Sequence, residues 1–126
     1  VNFVLAHFGN PWLTDAAAVL YKNNKKGVKE NVWADLSGIV VGTAADFLRY
    51  HERGELKAVA DQISKAFSYT ERPDRFLFGS DWPLAPMADY VSFIRAAIPR
   101  EYHRLVFHDN ARALFGLDEQ RRNRAR

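Results

Sequence analysis

Cysteine is absent from this chain of 126 residues. Its absence excludes a disulfide framework, a thiolate zinc site and a cysteine nucleophile. Long apolar runs are also missing, because a charged residue or a proline interrupts each one after a few residues, and no segment is predicted to span a membrane. No basic leader precedes the first apolar run, so we expect a cytoplasmic protein.

The sequence also lacks the glycine-rich loops that bind phosphate groups. Neither GxGxxG nor GxxxxGK followed by Ser or Thr occurs. The metalloprotease pattern HExxH and the nucleophile elbow GxSxG are missing as well. Phosphate and dinucleotide chemistry therefore lose most of their support.

The net charge of +3 comes from the C-terminal residues and not from a folded basic surface. Four arginines lie among the last six residues, and the rest of the chain holds 14 basic and 15 acidic residues. Nucleic-acid binding requires lysines and arginines that gather on a folded face. We therefore predict no nucleic-acid partner and no membrane partner, and we predict that residues 118–126 form a solvated, disordered tail.

The composition is ordinary for a globular domain, with 48% hydrophobic and 26% charged residues, and the length allows one domain. Two features indicate that the chain is a fragment of a longer protein. Met87 is its only methionine, and Val1 opens directly into a strand-like run with no turn before it. We therefore expect that part of the functional protein lies outside this sequence.

Three short apolar runs are predicted to be buried β-strands, at 1–6, 32–36 and 75–78. They are rich in Val, Phe, Trp and Leu and lack clean alternation, which is typical of strands covered on both faces of a parallel sheet. Each run is followed by turn-forming residues and then by a helical pattern. The helices are predicted at 14–22, 43–50, 55–67, 87–98, 101–107 and 110–115, with a break near Gly54 and an end at Gly116.

This alternation of strand and helix predicts an α/β fold with a parallel sheet. Three parallel strands alone leave both edges of the sheet open, and such an exposed half-sheet favours a homo-oligomer. A closed (β/α)8 barrel has no open edge and takes about 250 residues. The chain has about half the length of such a barrel.

Polar residues follow all three strands, and functional groups gather where parallel strands end. His7 follows the first strand and Asp81 the third, so they are predicted at equivalent heights on one rim. There they could share a metal ion, activate a water molecule or form an acid/base pair. The alternatives are a packed or capping histidine and a turn aspartate. For Asp35 and Ser37, after the second strand, a turn and a cap are favoured.

The other histidines and most aromatic residues receive structural interpretations. His51 and His103 are predicted on exposed helix surfaces. His108 precedes Asp109 and Asn110, which are predicted to start the last helix. Core positions are predicted for four aromatic residues: Trp12, Trp33, Phe76 and Phe78.

Four segments of the sequence form a set: LAHFGNPW at 5–12, VWADLSG at 32–38, RFLFGSDWP at 75–83 and NARALFGL at 110–117. The set resembles the metal-dependent branch of the amidohydrolase superfamily known as amidohydrolase family 2. Its members fold as TIM-like (β/α)8 barrels and include sugar lactonases and aminocarboxymuconate-semialdehyde decarboxylase. The resemblance implies that residues 1–117 are the C-terminal βα units of such a barrel, with three strands that match its sixth to eighth.

The resemblance also implies roles for individual residues. His7 matches the histidine that in relatives faces the substrate or the metal-bound water. Asp81 matches the aspartate that bridges metal and attacking water as general base in the hydrolases, and that is chiefly a metal ligand in the decarboxylases. Zinc is the expected divalent metal, and a metal lowers the pKa of bound water to about 7. Trp82, beside Asp81, is predicted to face the rim and contact a small-molecule substrate.

The sequence departs from the family in its histidines. Relatives also carry a His-x-His pair on the first strand and usually a histidine on the fifth, but no two of the four histidines here are separated by one residue. His7 and Asp81 are too few for a zinc site, which takes three protein ligands. The favoured function is a hydrolase of a small carboxylated, lactone or amide substrate, incomplete in this chain. A non-oxidative decarboxylase and a non-catalytic half-barrel interaction module are the alternatives.

Overall fold

A three-stranded parallel sheet forms the centre of the structure. The computed structural model describes residues 1–23 and 29–117. The strands are β1 (Phe3–Leu5), β2 (Val32–Asp35) and β3 (Phe76–Leu77), in the order β1-β2-β3, and both neighbouring pairs are parallel. The prediction of three parallel strands is confirmed, although each strand is shorter than predicted. The predicted C-terminal tail lies outside the described residues.

Five α-helices accompany the sheet in the described residues, and none of them is long and apolar enough to cross a membrane. The predicted break near Gly54 is confirmed, since this residue separates two helices with a φ of +74°. The bounds are α1 Leu13–Asn23, α2 Ala44–Glu52, α3 Glu55–Thr70, α4 Met87–Ala97 and α5 Asn110–Phe115.

The helix predicted at 101–107 is not a regular α-helix. A 3₁₀ turn at Arg100–Tyr102 and a π-helical turn at Leu105–Asp109 take its place. The carbonyl of Val106, within the π-helical turn, accepts a hydrogen bond from the N–H of Phe78 at 3.0 Å. This hydrogen bond joins the π-helical turn to the residue that follows β3.

An apolar core fills the space between the sheet and α1, α3 and α4. Packing of α1 on α3 and of α3 on α4 closes it from the outside. Burial of each large apolar side chain contributes about 1.5–3 kcal/mol, so this core is the main stabilising feature of the fold. Side chains no more than 2% exposed include Phe8, Leu20, Leu36, Ile63, Phe76, Tyr90 and Ile94.

Strand β1 differs from the buried strand that was predicted. Phe3 and Val4 are 58% and 43% exposed. The reason is that β1 is an edge strand, which pairs only with β2 in the described part of the chain. The described strands therefore form an open sheet and do not close into a barrel.

The aromatic residues predicted in the core have mixed outcomes. Trp12 is 68% exposed, so its prediction is wrong; the neighbouring Leu13 is buried and takes the inward position at the start of α1. Trp33 and Phe76 are buried as predicted. Phe78 is only half-buried, and its ring stacks on the ring of Phe107 in the π-helical turn, with centroids 4.6 Å apart.

Asn110 makes buried hydrogen bonds that its position in the sequence does not predict. It begins α5 as predicted, but neither it nor Asp109 caps a helix, because the backbone is already helical there. The buried Asn110 amide instead donates to the carbonyls of Pro73 and Phe76, at 2.9 and 2.8 Å. These two bonds attach α5 to β3 and to the turn before it.

We predict that Asn110→Ala lowers the free energy of unfolding by about 2–4 kcal/mol, because two carbonyls lose their partner in a buried place. Urea unfolding followed by circular dichroism measures the change. Ser92→Ala is the control, since this exposed hydroxyl on α4 bonds only a carbonyl of its own helix and should cost less than about 0.5 kcal/mol. Equal losses in the two variants would contradict the structural role of Asn110.

Candidate active site

The backbone conformation of the loop after β1 determines the position of His7. His7, Phe8 and Gly9 have φ values of +55°, +49° and +67°, in the left-handed region. For a residue with a side chain this conformation costs about 1–2 kcal/mol. Phe8 offsets that cost, because it is fully buried and meets Phe76 edge-on at 4.8 Å between ring centroids. Packing of Phe8 therefore holds His7 at the carboxyl end of β1.

Asp35, the last residue of β2, connects the first two loops. Its Oδ1 accepts hydrogen bonds from the backbone N–H of His7 at 3.2 Å, the backbone N–H of Ser37 at 3.0 Å and the hydroxyl of Ser37. The bonds to Ser37 form the turn that was expected. The bond to His7 could not be foreseen, since 28 positions separate its partners.

The imidazole of His7 is held on one side by Ser37. Its Nδ1 lies 2.9 Å from the carbonyl oxygen of Ser37 and 2.9 Å from Oγ of the same residue. In the part of the chain that the structure describes, the other ring nitrogen, Nε2, has no hydrogen-bond partner. His7 thus has one nitrogen fixed and one nitrogen available.

Gly38 allows His7 and Asp81 to approach a common point. It has a φ of +58°, and a Cβ built on it would lie 2.5 Å from Nδ1 of His7 and 2.8 Å from Oδ2 of Asp81. No real Cβ tolerates neighbours that close, so only glycine leaves room for both groups. The structure brings His7 and Asp81 together over the loop after β2, although β2 separates their strands. Their chemical roles stay predictions.

The loop after β3 carries Asp81 and Trp82. Asp81 has a φ of +58°, and its carbonyl accepts the N–H of Leu84 at 2.9 Å. The carbonyl of Leu84 accepts the N–H of Gly42 at 2.9 Å, which joins this loop to the segment after β2. Trp82 is 74% exposed, beside Asp81. Its exposed indole is consistent with the predicted position on the rim.

Tyr90 of α4 supports the segment that carries Ser37 and Gly38. Its hydroxyl donates to the carbonyl of Leu36 at 2.7 Å and accepts the N–H of Ile39 at 3.1 Å. Burial raises the pKa of Tyr90 to about 12. The sequence offers one signal for this role, a tyrosine among the apolar residues of a helix, because a buried hydroxyl requires a partner.

The other three histidines form no hydrogen bond with these loops. His51 is exposed, as predicted. His103 is half-buried, and the surface prediction is wrong because its Nε2 reaches the carbonyl of Ile98 at the end of α4, at 2.9 Å. His108 Nδ1 lies 2.7 Å from Oδ1 of Asp109, and this hydrogen bond lowers the pKa of the Asp109 carboxyl.

Within residues 1–23 and 29–117, no group of three or more histidine, aspartate or glutamate side chains is arranged to hold a metal ion. A catalytic zinc site takes three protein ligands. His7 and Asp81 offer donor atoms of kinds that zinc accepts, an imidazole nitrogen and a carboxylate oxygen. Their number does not fit a complete site, so the described residues alone do not form one.

The parallel sheet and the polar loops at its carboxyl ends place this chain among α/β proteins whose sites lie at that edge. The family model described as amidohydrolase matches residues 1–117. The chain belongs to amidohydrolase family 2, and the resemblance found in the sequence is confirmed. Searches of curated proteins and of solved structures found no match. The family indicates a hydrolase-type or related function on a small-molecule substrate, and its members are generally metal-dependent.

We predict that Gly38→Ala destabilises the protein more than Gly54→Ala and changes the NMR resonances of the His7 ring. Both glycines have left-handed φ values, so both substitutions cost about 1–2 kcal/mol of backbone strain. Only at position 38 does the new methyl group also collide with His7 and Asp81, since nothing lies within 4 Å of the equivalent point at Gly54. Urea unfolding and NMR measure the two effects. If Gly38→Ala and Gly54→Ala lose equal stability and the His7 resonances do not change, the predicted collision with His7 and Asp81 is wrong.

We predict that Tyr90→Phe lowers the free energy of unfolding by about 1–3 kcal/mol near pH 8, because two buried backbone groups lose their partner. The pKa of Tyr90 is raised in the fold, so its contribution is complete below about pH 10 and declines towards pH 12, by up to about 1.4 kcal/mol per pH unit. Tyr90→Phe has no phenol at this position, so its free energy of unfolding should fall less than that of the wild-type protein between about pH 10 and 12. Urea unfolding at about pH 8 and about pH 11 tests it; identical pH dependence in both proteins would contradict it.

Proposed function

We propose that this chain supplies the general base and the substrate-facing histidine of a hydrolase of the amidohydrolase family. The observation that carries the proposal is the approach of His7 and Asp81 to one point beside Gly38. A histidine and a carboxylate so close together can serve one reaction, the carboxylate as acceptor of a proton from water and the histidine through its other ring nitrogen, Nε2. The substrate class we propose is a small carboxylated molecule, a lactone or an amide.

Asp81 is the group we propose as general base. Its carboxylate oxygen Oδ2 lies beside Gly38, next to the edge of the His7 ring that Nδ1 and Cε1 form. A carboxylate in this position accepts the proton of a water molecule as the water attacks a carbonyl carbon. His7 contacts the substrate from the side opposite its Ser37 contacts, and the exposed Trp82 forms an apolar wall of the same site.

Zinc is the metal we propose for the complete enzyme, and Asp81 is the ligand that this chain would contribute. Carboxylate oxygen is one of the donors that zinc accepts. Because the described residues do not complete a ligand set, the remaining ligands have to come from residues other than these. The proton transfer assigned to Asp81 concerns this residue and water alone.

The proposal predicts that Asp81→Asn lowers the rate of hydrolysis by about 10²–10⁴-fold, since an amide accepts no proton from water. The protein is expressed from its full coding sequence and assayed on lactones and amides, with bound metal measured in parallel. Asp89→Asn, an exposed aspartate in the first turn of α4, is the control and should retain full activity.

Retention of near wild-type hydrolysis by Asp81→Asn would overturn the general-base role. Release of carbon dioxide from carboxylated substrates, without any hydrolysis, would instead favour the decarboxylase. The metal measurement separates the two roles of Asp81. If the variant keeps its metal and loses activity, proton transfer is the lost step.

A further inference from the structure

We infer that Asp35 and Ser37 are positioning residues, which hold neutral His7 in the tautomer with the proton on Nδ1 and leave Nε2 as the acceptor of the ring. The hydrogen bonds of His7 carry this inference without reference to any reaction. Its consequence for catalysis rests on the hydrolase function proposed above. Asp35 does not touch the imidazole and acts on it through Ser37.

The carbonyl of Ser37 determines which ring nitrogen holds the proton. A backbone carbonyl oxygen has lone pairs and no hydrogen, so it can only accept. It lies 2.9 Å from Nδ1 of His7, within hydrogen-bond distance. Nδ1 must therefore be the donor, because two lone pairs facing each other at this distance would repel.

The hydroxyl of Ser37 leads to the same tautomer by an independent contact. Its hydrogen is donated to Oδ1 of Asp35, a carboxylate oxygen that can only accept when ionised. Oγ of Ser37 also lies 2.9 Å from Nδ1 of His7. Since the hydroxyl hydrogen is committed to Asp35, Oγ can meet Nδ1 only as an acceptor, and both contacts of Nδ1 require its proton.

Asp35 controls both the backbone and the side chain of His7. Its Oδ1 accepts the N–H of His7 directly, at 3.2 Å, and orients the ring through the Ser37 hydroxyl. A carboxylate that fixes the tautomer of a catalytic histidine is a recurring arrangement, and here a serine hydroxyl stands between the two. Nε2, which has no hydrogen-bond partner among residues 1–23 and 29–117, can then accept a proton or a hydrogen bond from a substrate.

Long-range ¹H–¹⁵N NMR of the ¹⁵N-labelled protein at about pH 8.5 tests the inference, because ring nitrogens with and without a proton resonate far apart. This pH is well above the ordinary histidine pKa of about 6.5. We expect His7 to show a protonated Nδ1 and an unprotonated Nε2. His103 is an internal reference for the opposite tautomer, since its Nε2 faces the carbonyls of Ile98 and Arg95.

Asp35→Ala should change the tautomer of His7, because it removes the acceptor of the Ser37 hydroxyl. Asparagine would not serve here, since its amide oxygen can accept the same hydroxyl. In Asp35→Ala the hydroxyl can donate to Nδ1, so we expect a second population with the proton on Nε2. Ser37→Ala removes the hydroxyl contact while leaving the carbonyl, and it serves as the second variant if Asp35→Ala does not fold. We expect a smaller second population there.

Asp46→Ala is the matched control. Asp46 accepts a backbone N–H and a hydroxyl from Thr43, as Asp35 does from Ser37, but it caps α2 and has no bond to His7. Its variant should leave the His7 pattern unchanged. A His7 protonated on Nε2 in the wild-type protein overturns the inference, and so does an unchanged His7 pattern in folded Asp35→Ala.

The NMR experiment needs no substrate, so its result tests the tautomer of His7 independently of the proposed hydrolase function. If hydrolysis is found, Asp35→Ala should lower kcat by about 10–100-fold with little change in KM, the range seen when a partner that orients an active-site ligand is removed. A raised KM with unchanged kcat would assign Asp35 to substrate binding and overturn the positioning role.

Discussion

One carboxylate oxygen, Oδ1 of Asp35, joins the parts of the candidate site. Asp35 ends the central strand, β2, and is in register with Leu77 of β3. The residue before it, Ala34, pairs with both neighbouring strands. The sheet therefore sets the position of this carboxylate. From there it accepts the backbone of His7 and both donors of Ser37. These hydrogen bonds consequently attach the loops after β1 and β2 to the centre of the sheet.

The loops after β1 and β3 contain conformations that are costly by themselves. His7 and Asp81 both have left-handed backbones, which cost residues with side chains about 1–2 kcal/mol. Phe8 in the core offsets the first cost, and Tyr90 supports the intervening segment from α4. Strained backbone held in place by a rigid scaffold is frequent at functional sites. Gly38 completes the arrangement because it has no side chain to keep His7 and Asp81 apart.

Much of this arrangement could be predicted from local patterns. Parallel strands end at one edge, so His7 and Asp81 were expected on one rim, and the break at Gly54 follows from a residue type that favours positive φ. Burial was harder to predict. Phe3 is apolar yet exposed, because its strand has a partner on one side only in the described residues. His103 was expected in solvent, but the end of α4 offers it a carbonyl.

The sequence by itself determined three things: the parallel α/β order of the elements, the family, and the identity of the residues at the strand ends. All three depend on short-range periodicity and on motifs that are contiguous in the chain. Only the tertiary structure decided that Asp35 reaches His7, that Tyr90 supports the loop after β2, and that Gly38 lies between an imidazole and a carboxylate. These contacts join residues far apart in the chain. Their geometry is set by sheet register and core packing, which no local pattern encodes.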